Sequence, residues 1–90
     1  MKAVEKIREK LIKEFNPSYL EVIDESHMHA GHAGAPEGGE SHFKVRMVSE
    51  AFTGKSRVER QRLVHKSLAD DLATYIHALS LDLKNTSEAA

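Results

Sequence analysis

Cysteine is absent from this 90-residue chain. That excludes a disulfide framework, a cysteine nucleophile and a cluster ligated by thiolates of this chain alone. Tryptophan is also absent, and proline occurs twice. No apolar run approaches the 18 or so residues that a membrane span requires, and the start at Met1-Lys2-Ala3-Val4-Glu5-Lys6 has no hydrophobic stretch. Neither a span nor a secretory signal is read, and no membrane partner is expected. A charge excess is lacking too: 13 Lys and Arg face 14 Asp and Glu, for a net charge of −1. Overall attraction to a nucleic-acid backbone is therefore weak. With 30% charged and 40% hydrophobic residues, the composition is that of a globular domain rather than a disordered chain. The length allows one domain, expected to occupy residues 1–90. What stands out is histidine, with six copies.

Val4, Ile7, Leu11 and Phe15 recur at three- and four-residue steps, with Ile12 alongside. This spacing predicts an amphipathic helix that ends at Asn16-Pro17, because proline cannot continue it. Tyr19 to Ile23 is a short β-branched and aromatic run, read as a strand. Residues from about 24 to 40 show no periodicity and contain Gly31, Gly34, Gly38 and Gly39, so they read as a long flexible loop. Loops of that length in a small domain are often functional. From Ser41 to Val48 the pattern alternates: Phe43, Val45 and Met47 point one way, and His42, Lys44 and Arg46 the other. That predicts a half-buried second strand with a wet, basic face, paired with the first as a hairpin. Ser56 followed by Glu59 is a capping-box signature that opens a helix from about Arg57 to Thr74, with Val64, Leu68 and Leu72 on one face. His77 to Leu83 alternates again and predicts a third strand. The tail, about 85–90, carries nothing to bury and is expected to fray. The order helix, strand, strand, helix, strand, with a helical crossover before the last strand, gives a small α+β sandwich with helices on one sheet face.

Several residues can carry chemistry. His27, His29 and His32 form His-x-His-x-x-His in the Gly-rich loop. Imidazole is a common ligand for borderline metals, but a catalytic zinc needs three rigidly held ligands. A mobile ligand arm suits this loop better than a dedicated zinc site. His77, at a helix-to-strand junction, is either a ligand or a histidine bonded to a backbone carbonyl. His65 and His42 read as surface residues. Lys55, Arg57, Arg60, Arg62 and Lys66 put five cations against Glu59 around the start of the second helix. With Lys44 and Arg46, they form a candidate phosphate-binding patch for DNA. Gly31-His32-Ala33-Gly34 has the letters of a Gly-x-x-Gly RNA clamp but lies between strands, not helices, so KH-type RNA binding is disfavoured. No nucleophile–base signature or phosphate loop is present. The reading leans against an enzyme and keeps a metal-dependent nuclease as its last alternative.

Leu20-Glu21-Val22-Ile23-Asp24-Glu25-Ser26, Glu40-Ser41-His42-Phe43-Lys44-Val45, Phe52-Thr53-Gly54, Arg60-Gln61-Arg62-Leu63-Val64 and Ile76-His77-Ala78-Leu79-Ser80 occur in that order. Together they resemble the BolA family over roughly residues 4–83. The resemblance implies the BolA variant of the class II KH-like fold. It also implies a monothiol glutaredoxin as partner, with a [2Fe-2S] cluster shared between the two proteins and none bound by the isolated chain. His77 matches the family's ligand histidine and His29 its loop ligand; His27 and His32 stand in reserve. The adaptor would serve iron–sulfur trafficking or iron-status signalling. The alternative implied by the family is a DNA-binding transcription regulator of the stress and cell-shape type. The setting expected is intracellular, cytoplasmic in the first place, or organellar (plastid or mitochondrion) after removal of a transit peptide. Two departures from the family pattern are visible. Gln61 stands where many members have histidine, and the short Trp-bearing helix after the last strand is not expected here.

Overall fold

The first helix, α1 (Ala3–Phe15), buries Ala3, Ile7, Leu11 and Phe15 along a single stripe. A computed structural model describes residues 2–25 and 42–89. Asn16 closes α1 in the left-handed region (φ 43°), its N–H donating to the Ile12 carbonyl. Ile12, expected beside the apolar stripe, is 47% exposed.

Next come β1 (Tyr19–Asp24), β2 (His42–Val48), a single 3₁₀ turn (Glu50–Phe52), α2 (Arg57–Ser67), α3 (Ala69–Thr74), β3 (Ala78–Lys84) and α4 (Thr86–Ala89). The sheet order is β1-β2-β3. β1 runs antiparallel to β2, and β3 runs parallel to it. In the parallel register Phe43, Val45 and Met47 lie opposite Leu79, Leu81 and Leu83. These residues form the inner face, where Phe43, Val45 and Met47 are fully buried against Ile7, Leu11, Phe52, Val64 and Leu68. The Phe15 and Phe52 rings meet at 5.4 Å, and Phe43 packs edge-on against Tyr75 at 6.2 Å. The outer face carries Lys44 and Arg46 beside Ser80 and Asp82. The three-stranded mixed sheet with its helices is the α+β architecture read from the pattern.

Buried Ser49 ties the layers together at one end. Its Oγ donates to the Phe15 carbonyl at 2.6 Å and accepts from the Ala51 N–H at 3.1 Å. Gly54 adopts φ +77° in the turn before α2, a conformation strained for any residue with a Cβ.

Two expectations are corrected. The helix over 57–74 is broken at Leu68 (φ −103°, ψ 19°) into α2 and α3. The break seats Leu68 in the core, and the next turn carries Asp71 to Lys10 and Tyr75. Within the described part of the tail, Thr86–Ala89 forms a helical turn in which Glu88 pairs with Arg60 at 2.6 Å. The sequence shows no large apolar residue there, and the turn is held by polar contacts instead.

Candidate functional site

The N-terminal ends of β2 and β3 lie side by side, with His42 opposite Ala78. His77 directly precedes β3 and is exposed. The next residue inward, Ile76, is buried, and its N–H donates to the Asp71 carbonyl at 3.0 Å. An apolar anchor and a strand therefore hold the backbone on both sides of His77, while the imidazole stays open. The His42 ring stacks beside it, centroids 6.5 Å apart and planes at 21°. The reading of His42 as a surface residue did not include this pairing, because only the parallel register brings positions 42 and 77 together.

β1 also ends here, and the Glu25 N–H donates to the His42 carbonyl at 2.7 Å. The chain thus leaves at Glu25 and returns at His42 on the sheet end that carries His77. His27, His29 and His32 belong to the intervening segment and lie outside the described residues. Among the described residues, no group of three or more His, Cys, Asp or Glu side chains is placed to hold a metal ion. At this end the described residues supply the His42 and His77 imidazoles and, at the close of β1, the carboxylates of Asp24 and Glu25. The imidazoles fit a cluster whose remaining ligands come from a second protein, since thiolate and imidazole can share a [2Fe-2S] centre. His77 would hold it from the described part of the chain.

The cations of the second patch have different surroundings. The Ser56–Glu59 capping box forms as read, with contacts of 3.2 and 3.0 Å, and the Ser56 hydrogen bonds hold the Glu59 carboxyl below its ordinary range. Arg57, Arg62 and Lys66 are exposed, and Lys55 and Lys44 are half-buried. Arg46 lies 3.8 Å from Glu21. Arg60 departs from the expected set. Its residue exposure is 9%, and its Nε donates to the Lys55 carbonyl at 3.0 Å. Its Nη1 donates to the Leu83 carbonyl at 3.2 Å and to Glu88 at 2.6 Å. The spacing of charges in the sequence places Arg60 on the basic helix, but not its inward turn toward the β3 edge. His65 is exposed, as expected. No helix among the described residues is long and apolar enough to cross a membrane.

These features define a small α+β domain with an exposed His77 beside a half-buried His42 at one end of a mixed sheet and a cationic helix along its side. A family profile described as BolA-like protein matches residues 11–88. The chain belongs to the BolA family. It is 51% identical over 87 residues to SufE-like protein 1, chloroplastic/mitochondrial, of Arabidopsis thaliana, covering 92% of this chain but 24% of that protein. It is 51% identical over 82 residues to the DNA-binding transcriptional regulator BolA of Vibrio cholerae, covering 91% of this chain and 74% of that one. The solved structure of the BolA domain of SufE1 from Arabidopsis thaliana superimposes with a TM-score of 0.85 at 49% identity, covering 94% of this chain and 93% of that domain.

Proposed function

We propose that this protein is a BolA-type adaptor that docks on a monothiol glutaredoxin and co-ligates a shared [2Fe-2S] cluster with His77 and His29, for iron–sulfur trafficking or iron-status signalling. The observation that carries the reading is the open His77 imidazole at the sheet end where the histidine-bearing segment departs. A chain without cysteine supplies no thiolate, so thiolate ligands would come from the partner. The name of the plant relative supports an organellar setting, plastid or mitochondrion, as an alternative to the cytoplasm.

The test is co-expression with a monothiol glutaredoxin, as wild type and as His77→Ala. Visible absorption and circular dichroism of the purified complex are the readouts. The reading requires a heterodimer whose iron–sulfur bands differ from those of the glutaredoxin homodimer, with the difference lost in His77→Ala. A spectrum indifferent to His77 rejects it.

A second reading, a DNA-binding regulator, is favoured by the name of the Vibrio cholerae relative and by exposed Arg57, Arg62 and Lys66 on one helix. Binding of that kind weakens steeply with salt. A DNA affinity equal at low and high salt, or unchanged in Arg62→Ala, rejects it.

A further inference from the structure

Arg60 sits in the wall of a cavity of about 370 Å³ between the start of α2, the C-terminal half of β3 and α4. Lys55, Arg57 and Lys84 line the same cavity, and so do the carboxylates Asp82 and Glu88. A guanidinium has five N–H donors. Nε and Nη1 are engaged as described, but among the described residues no acceptor meets Nη2, and it is not among the buried atoms lacking a partner. Two donors of a largely buried arginine that lines this cavity therefore have no acceptor among the described residues, beside three more cations.

The carboxylate that meets this arginine comes from a weakly anchored turn. α4 spans Thr86–Ala89 and buries no residue. It is held by Arg60 to Glu88, by Thr86 to Glu50, and by a local box in which Asn85 and Glu88 exchange bonds of 2.7 and 2.8 Å. The Glu88 side chain is still 47% exposed. The hydrogen bond from Arg60, followed by the one from the Asn85 N–H, holds its carboxyl below the ordinary range, so it is ionised at neutral pH.

We propose that this cavity is a phosphate-binding site and that Glu88 is its built-in competitor, occupying the Arg60 guanidinium until a phosphate group displaces the C-terminal turn. A phosphate can take the Nη1 bond that Glu88 gives up and accept from Nη2 as well. Paired N–H···O bonds of this kind are the arrangement in which arginine recognises phosphate best. The exchange leaves no buried donor without a partner, and α4 has no buried residue to expose when it moves. Because Glu88 is tethered, it competes at a high effective concentration, and the apparent affinity is scaled down by the fraction of chains in which the turn is open. The site lies at the opposite end of β3 from His77, roughly 20 Å away for a strand of that length. It therefore does not depend on the cluster reading. It takes phosphate chemistry, whether from a nucleic-acid backbone or from a small phosphate compound.

The experiment titrates inorganic phosphate into the full chain and follows backbone amides and the Arg60 Nε–H by NMR. Glu88→Gln should bind at least tenfold more tightly than wild type, with shifts at Lys55, Arg57 and Lys84. Asn85→Ala, which unfastens the turn without changing charge, should move affinity in the same direction by a smaller factor. Arg60→Lys in the Glu88→Gln background should remove the gain. Equal affinities in wild type and Glu88→Gln overturn the proposal. So does a gain matched by Asp70→Asn, an exposed charge change at a residue that does not line the cavity. A parallel titration with a 20-base-pair DNA duplex separates the sources. A gain for duplex that free phosphate competes away identifies backbone phosphate, whereas a gain for phosphate alone identifies a small phosphate ligand.

Discussion

Asp71, buried on α3, accepts a hydrogen bond from Lys10 of α1 and another from the Tyr75 hydroxyl, both at 2.5 Å. Burial works to raise the Asp71 carboxyl, but the bonds from Lys10 and Tyr75 outweigh it and hold the group below its ordinary value of 3.8. A carboxyl lowered in the folded state stabilises the fold above its unfolded value and loses that contribution as pH falls through the folded one. Asp71→Asn should therefore cost about 2 kcal/mol at pH 7. The difference from wild type should shrink progressively below about pH 3.8. Urea unfolding at pH 7, 4 and 2.5 measures it. A gap that stays constant across that range would show that the Asp71 charge does not link α1 to α3.

Arg60 and Arg62 differ by two positions on one helix and by everything in their surroundings. Arg60→Ala removes bonds to Lys55, Leu83 and Glu88 and the guanidinium's contact with the Phe52 ring, 6.0 Å from its centre. It should destabilise the domain by about 2–3 kcal/mol. Arg62→Ala, at an exposed site, should stay within about 0.5 kcal/mol of wild type. Thermal melts of the two variants side by side decide the point, and equal melting temperatures would contradict the structure.

Ser49 is almost fully buried between α1 and β2. Ser49→Ala strands the Phe15 carbonyl and removes the cap on the Ala51 N–H, for an expected loss of about 1–2 kcal/mol. Ser56→Ala, which loses only an exposed capping box, should cost about 1 kcal/mol. Denaturant midpoints give both values. Ser56 costing more than Ser49 would reverse the ranking that burial implies.

The legible part of this fold is what periodicity writes. The Ile7-Leu11-Phe15 stripe, the alternation from Phe43 to Met47 and the Ser56–Glu59 box each map onto one element, because local spacing decides which face is apolar. The break at Leu68 was not legible, since leucine is a good helix former and the turn there comes from packing. The C-terminal turn was not legible either, because its ties to Arg60 and Glu50 cross 28 and 36 positions. His77 could be singled out from the Ile76-His77-Ala78-Leu79-Ser80 run. Its proximity to His42 needed the parallel register between β2 and β3, which no short-range pattern encodes.

That proximity sets up a competition for the second ligand of a shared cluster. His29 is the position matched by family resemblance, whereas His42 is the imidazole that stands next to His77, 6.5 Å between ring centres. If His77 and His29 are the ligands, His77→Ala and His29→Ala should each abolish the heterodimer-specific iron–sulfur spectrum. His42→Ala should then keep the absorption bands and change only their circular dichroism, because it removes a neighbour rather than a ligand. The three variants, each co-expressed with a monothiol glutaredoxin and compared by iron content and visible spectrum, make the measurement. Loss of iron in His42→Ala with retention in His29→Ala would move the second ligand onto β2. The ligand would then sit on a strand rather than on the histidine-bearing segment, and the rigid end of the sheet alone would orient both imidazoles toward the partner.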